Sequence, residues 1–219
     1  MIADTMENIL ITGGTGNLGK TVVKALSDTG YHLHLAVRNP VITSSESIFQ
    51  YQADLSDSRQ AETFLQKATS EGRRINVGVF LAGGFEPGNL AATEMGDISK
   101  MININFATAF NLAQKLIAYF KTVGGGKLIF IGAKSAMDFK TAGNSLAYSL
   151  SKQLLFNFSD IINQSEHDSG VTSHILLPGA IGNAAPGTPG SSKLTSPDAI
   201  AHVIEDIIEG KDLRSVVAF

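Results

Sequence analysis

Cysteine and tryptophan are both absent from this chain of 219 residues. The first absence excludes disulfides, thiolate metal sites, iron–sulfur clusters and a cysteine nucleophile. The second removes the usual intrinsic optical signal for ligand binding. Positive charge is not in excess: 17 Lys and Arg stand against 20 Asp and Glu, for a net charge of -3. No global field therefore draws the chain to nucleic acid or anionic lipid. No run approaches the roughly 18 apolar residues of a membrane span. Met1 to Glu7 offers neither the basic start nor the apolar middle of a signal peptide. The histidines, at positions 32, 34, 167, 174 and 202, form no metal-binding pair of the His-Glu-x-x-His type. His32 and His34 alternate with Leu33 and Leu35, the period of one strand face. These absences predict a soluble, cytoplasmic protein with a small-molecule substrate and with no metal, membrane or nucleic-acid partner.

What the chain does have is apolar residues, at 43%, and 22 glycines against 6 prolines. It is long enough for a substantial core and is read as one domain over residues 1–219. Short apolar strands are predicted at Asn8–Thr12, His32–Val37, Ile48–Gln52, Val77–Leu81, Lys127–Ile131, Thr172–Leu177 and Ser215–Phe219. Helical patterns lie between them: Lys20–Leu26, 57–71, 97–122, a run with Leu146, Leu150, Leu154 and Phe158 at helical spacing, and 197–209. Strands rich in Val, Ile and Leu that alternate with helices predict an α/β fold. Its parallel sheet would be doubly wound, with helices on both faces. Residues 184–197 are rich in Gly, Pro and Ser and read as a loop that covers the substrate.

In such sheets ligands bind at the carboxyl ends of the strands, so the residues just after each strand matter most. After the first comes Gly13-Gly-Thr-Gly-Asn-Leu-Gly19, with glycines at 13, 16 and 19. Glycine there keeps a Cβ away from a pyrophosphate, and the N–H groups of the next helix point at it. After the second strand stands Arg38, whose planar cation suits a 2′-phosphate and favours NADP(H), with NAD(H) the alternative. Asp54 follows the third strand, near the expected adenine amino group, and Ala82-Gly83-Gly84 follows the fourth. Tyr148 and Lys152 are four residues apart on a predicted helix and share a face. A lysine cation there stabilises a tyrosinate and lowers the phenol pKa, which makes Tyr148 a workable general acid for a carbonyl oxygen.

Thr12-Gly13 to Gly19, Asp54, Ala82-Gly83, Asn105, Tyr148 with Lys152, and Pro178-Gly179 fall in one order along nearly the whole chain. In that order the sequence resembles the short-chain dehydrogenase/reductase family. The resemblance implies a seven-stranded Rossmann-type sheet and hydride transfer to a small carbonyl or quinonoid dihydropteridine-like compound. It implies Tyr148 as acid/base, Lys152 holding the nicotinamide ribose, and Asn105 (or, less favoured, Asn103) anchoring a water in the proton relay. The cofactor contacts it implies are Gly13, Thr15, Gly16, Asn17, Leu18, Gly19, Arg38, Asp54, Leu55, Ala82, Gly83, Gly84, Tyr148, Lys152, Pro178, Gly179, Ile181 and Asn183. Phe106, Phe110, Phe120, Phe156 and Phe158, on the two helices that flank the catalytic elements, read first as core packing; in that family those helices also pair subunits, which implies a homodimer or homotetramer. Gly13–Gly19, Ala82–Gly84, Gly132-Ala-Lys134 and Leu177-Pro178 are similar to its dihydropteridine reductase branch.

The chain also departs from the pattern. Leu81 stands where the family usually has asparagine, and Asn183 where a threonine commonly bonds the carboxamide. Arg38 replaces the acidic residue expected of an NADH-using dihydropteridine reductase. The family serine that helps hold the substrate oxygen has two candidate positions. Counting back from Tyr148 reaches Ser135, whereas counting forward from Ile131 reaches Ala133, and the dihydropteridine reductase branch has alanine there. Two other functions fit parts of the pattern. A non-catalytic NADP-binding sensor fits the glycine loop but not an intact Tyr148–Lys152 pair. A sugar-nucleotide epimerase fits the glycine spacing but needs a C-terminal substrate domain.

Overall fold

The computed structural model describes residues 7–40, 45–182 and 194–219. The expected contact Asn183 and residues 184–193 of the expected substrate loop lie outside the described residues. The chain opens with β1 (Asn8–Thr12), α1 (Asn17–Asp28), β2 (His32–Val37) and β3 (Ile48–Gln52). It continues through α2 (Ser58–Ala68), β4 (Ile75–Phe80), α3 (Met95–Ile102), α4 (Thr108–Val123) and β5 (Gly126–Ile131). The short α5 (Phe139–Ala142) and the long α6 (Leu146–Ser165) lead to β6 (Val171–Leu177), β7 (Ala180–Ile181) and β8 (Leu194–Thr195). It closes with α7 (Pro197–Ile208) and β9 (Val216–Ala218).

Seven strands form one sheet in the order β3-β2-β1-β4-β5-β6-β9, every neighbouring pair parallel. Strand alternation sends Ile9 and Ile11 into one core and Leu10 into the other. The first core packs Val22 and Leu26 of α1 and Ile200, Ile204 and Ile207 of α7 against the sheet. The second packs Phe64 of α2, Leu112, Leu116 and Phe120 of α4, and Leu155 and Ile162 of α6. Each such side chain, fully buried, contributes about 1.5–3 kcal/mol relative to exposure. Strand order reverses between β1 and β4, and the crevice at their carboxyl ends is where such a sheet binds ligands.

His34 faces the sheet interior as its strand period predicted. Its ring lies 3.1 Å from both the Tyr51 hydroxyl and Asn8 Oδ1. Burial pushes its pKa down to about 4, so it is neutral at physiological pH and serves packing.

Several boundaries differ from the sequence reading. The expected helix 97–122 is two helices joined by a wide π-turn at Asn103–Ala107, where the Thr108 N–H reaches back five residues to Asn103 O. It ends at Gly124, whose φ of +86° a side chain would resist. The first helix begins at Asn17 because the end of the glycine loop already forms its first turn. The predicted helix 57–71 stops at Ala68 and tightens into a 3-10 turn at Ser70–Gly72. The paired β7 and β8 were not anticipated. No helix among the described residues is long and apolar enough to cross a membrane.

Candidate active site

The glycine loop after β1 is built for close approach. Gly13 has φ +68°, and a Cβ there would lie 2.5 Å from the Ala82 nitrogen. The loops after β1 and β4 therefore pass in backbone contact, and Ala82 N–H donates to Thr12 Oγ1 at 3.1 Å. A Cβ on Gly19 would sit 2.1 Å from Gly13 O, so α1 starts flush against the loop. Gly16 is the N-cap residue of α1, and no side chain caps that terminus. Thr15, Gly16 and Asn17 are exposed, whereas Leu18 tucks against the sheet. A bare helix N-terminus fronted by Cβ-free backbone fits the pyrophosphate of a dinucleotide.

Arg38 and Asp54 follow β2 and β3 on the adjoining stretch of the same edge, both exposed. Asp54 Oδ1 accepts from Ser56 N–H at 3.0 Å and from Ser56 Oγ at 2.7 Å. Those hydrogen bonds, and more weakly the positive charge of Arg38, hold its carboxyl below the usual carboxylate range. Leu55 is buried behind it. The sequence reading missed Asn111. From α4 its amide donates to Leu55 O at 2.9 Å and Ser56 O at 3.1 Å, clamping this loop to the helix. Only a contact across more than fifty positions reveals that role, and no local pattern carries it.

At the other end of the crevice the π-turn points Asn105 inward, fully buried. Its Oδ1 accepts from Gly84 N–H at 2.9 Å. Its Nδ2 donates to Gly84 O at 3.1 Å and Ser151 Oγ at 3.0 Å. Ser151 Oγ in turn donates to Tyr148 O at 2.6 Å, joining Asn105 to the helix that carries Tyr148 and Lys152. Lys152 Nζ is buried, donates to Ile131 O at 2.7 Å and lies 5.9 Å from the centre of the Tyr148 ring. Burial alone pushes Lys152 down to about 8 and Tyr148 up to about 12. The lowered phenol pKa expected from the pair is therefore not the state of the free protein. Desolvation outweighs a cation that the Ile131 carbonyl already engages.

Ala133 and Ser135 both stand beyond β5. Ala133 is buried, and Ser135 Oγ is buried without a hydrogen-bond partner. Beyond β6, Pro178 O accepts from Lys134 N–H at 2.9 Å and Gly179 N–H donates to Thr195 Oγ1 at 3.2 Å. Ile181 is exposed beside them in the small β7–β8 pair. The sequence reading also missed Phe85, whose ring meets the Tyr148 ring edge to face at 5.1 Å. The crevice thus brings together the glycine loop, Ala82–Gly84, Asn105, Tyr148 and Lys152.

A sequence profile for the short chain dehydrogenase family matches residues 7–188. The chain is 26% identical over 183 residues to a diacetyl reductase [(S)-acetoin forming] of Staphylococcus epidermidis, covering 79% of this chain and 70% of that one. It is 28% identical over 152 residues to a dihydropteridine reductase of Dictyostelium discoideum, covering 67% and 61%. Among solved structures, ElxO with NADP bound superposes with a TM-score of 0.86 at 22% identity over 97% of this chain and 96% of that one.

Proposed function

The chain belongs to the short-chain dehydrogenase/reductase family, and from that premise we propose that it is an NADPH-dependent reductase of a small carbonyl or quinonoid dihydropteridine-like compound. The observation that carries this reading is the placement of Tyr148 over the buried Lys152, beside Gly83 and Asn105 at the end of the crevice. The crevice fits a dinucleotide by its own geometry, because α1 starts uncapped behind the exposed Thr15, Gly16 and Asn17, and the glycines at 13 and 19 let the loop pack close beneath them. The nicotinamide, when bound, supplies the hydride.

The residues of the chain do the rest. With its pKa near 12, Tyr148 is protonated at neutral pH and is poised to give its proton to the substrate oxygen or nitrogen. The Lys152 ammonium, mostly charged at pH 7, stabilises the tyrosinate that remains. Asn105 holds the backbone at Gly84 and is the residue that would anchor a water of the proton relay. Ser135, its hydroxyl unpartnered, is the candidate second donor to the substrate oxygen. Thr15, Gly16 and Asn17 hold the pyrophosphate, Asp54 and Leu55 the adenine, and Pro178, Gly179 and Ile181 the nicotinamide side. Arg38 takes the 2′-phosphate, in line with the NADP carried by the similar fold of ElxO; NADH is the secondary cofactor. Leu150, Leu154 and Ile161, exposed along α6, suit the face of a homodimer or homotetramer.

The test is absorbance loss at the nicotinamide band when NADPH or NADH is offered with quinonoid dihydropterin and with a carbonyl panel. Tyr148→Phe runs in parallel, and a loss of about a hundredfold or more in turnover is expected while NADPH still binds. Undiminished turnover in that variant would remove Tyr148 as the acid.

A further inference from the structure

The peptide that joins Pro178 to Gly179 is held at both of its polar ends. Its carbonyl, Pro178 O, accepts from Lys134 N–H at 2.9 Å, and its amide, Gly179 N–H, donates to Thr195 Oγ1 at 3.2 Å. The two residues alone do not fix this plane. Proline pins its own φ and has no N–H to offer, whereas glycine accepts either orientation of the peptide before it. The two hydrogen bonds make the choice.

Each anchor leads to a different part of the molecule. Lys134 opens the 3-10 turn Lys134–Ala136, which carries Ser135. Thr195 ends β8 opposite Ile181 of β7, and its carbonyl accepts from Gly182 N–H at 3.1 Å. The next residue, Ser196, caps α7 by accepting from Asp198 N–H at 3.2 Å. Ile200 and Ile204 of that helix are fully buried, so Thr195 stands on a rigid base. Thr195 is itself buried, and a valine of nearly the same shape would fill the space without taking a hydroxyl out of water. Packing therefore does not account for the hydroxyl, whereas the Gly179 N–H does.

We propose that Thr195 is a positioning residue for the cofactor: its hydroxyl sets the Pro178–Gly179 peptide, and through it the surface against which the nicotinamide half of NADP(H) lies. The inference rests on the reading of Pro178, Gly179 and Ile181 as the nicotinamide side, and adds the residue that holds that side in place.

The test is calorimetric titration with two probes, NADPH and 2′-phospho-ADP-ribose, which is NADP without its nicotinamide. Thr195→Val removes the acceptor at nearly constant shape, Thr195→Ala removes it together with the methyl group, and Thr195→Ser keeps it. NADPH is expected to bind roughly tenfold more weakly to the Val and Ala variants. That fold-change corresponds to about 1.4 kcal/mol for leaving the half-buried Gly179 N–H unpaired. The nicotinamide-free probe is expected to bind wild type and every variant within about twofold. Thr195→Ser is expected to restore both NADPH affinity and the emission band of bound NADPH, which reports the surroundings of the nicotinamide ring.

Unchanged NADPH affinity in the Val and Ala variants, equal weakening of both probes, or no recovery with Ser overturns the proposal while the cofactor reading stands. Failure of wild type to bind either probe removes the cofactor reading and the inference with it. Urea titration supplies one more overturning result: if the Val and Ala variants both fail to fold while the Ser variant folds, the hydroxyl serves the fold and not the cofactor.

Discussion

Gly83 lies flat against the amide of Asn105: a Cβ at position 83 would come within 2.7 Å of Asn105 Oδ1 and 3.4 Å of Lys152 Nζ. Asn105 has no room to yield, because its amide is held by Gly84 and Ser151. Gly83→Ala is therefore expected to cost about 1–3 kcal/mol in stability, as overpacked sites do. Turnover should fall at least tenfold beyond any loss of folded protein. Steady-state kinetics on material whose folded fraction is set by denaturant titration separates the two.

Lys152 carries a pH signature. Its folded pKa, near 8, lies below the ordinary 10.5 because the ammonium is buried. Between those values the unfolded chain binds more protons than the folded one, so this group makes stability rise with pH across that window. Below pH 8 the charged form is buried at full cost. Relative to wild type, Lys152→Met is expected to be most favourable near neutral pH, with the difference shrinking as pH climbs toward 10.5. Urea unfolding at stepped pH reads this directly, and a pH-independent difference would contradict it.

Arg38 sets cofactor choice if it meets the 2′-phosphate. Its replacement by Asp removes a charge-assisted hydrogen bond worth about 1.5–3 kcal/mol. The NADPH-to-NADH ratio of kcat/KM is expected to fall on the order of tenfold to a hundredfold, measured with any accepted substrate. A ratio that does not move would make Arg38 a solvated surface residue.

Asn111 bears on binding more than on chemistry. Asn111→Ala frees the carbonyls of Leu55 and Ser56 and loosens the loop that presents Asp54. Stability should drop by about 1–2 kcal/mol. NADPH affinity should weaken while kcat at saturation stays within about twofold. Equilibrium titration beside saturating kinetics makes that comparison.

The strands were legible because each is a short segment, either a near-continuous apolar run such as β4 and β5 or an alternation of apolar and polar residues such as β2 and β3. The glycine loop, Tyr148 and Lys152 were legible because each falls directly after a strand or along a single helix. What escaped the sequence depends on contacts between distant positions. Phe85 meets Tyr148, Asn105 meets Ser151 and Asn111 meets Leu55 only once the sheet has assembled. The π-turn escaped for another reason: apolar spacing along residues 95–123 tolerates one extra residue without losing its helical look. The two-residue strands β7 and β8 are too short to show a period at all.

That extra residue has a consequence for how the chain can be shortened. Removing one position from Asn103–Ala107 would let α3 run straight into α4 as an unbroken α-helix. Each residue removed from a helix rotates its N-terminal part by about 100° relative to its C-terminal part. Asn105 would swing out of reach of Gly84 and Ser151. The same rotation would carry Met101 out of its buried seat and strand the groups Asn105 now satisfies, so a shortened chain loses stability and turnover together, and the length of this helix is fixed to the residue.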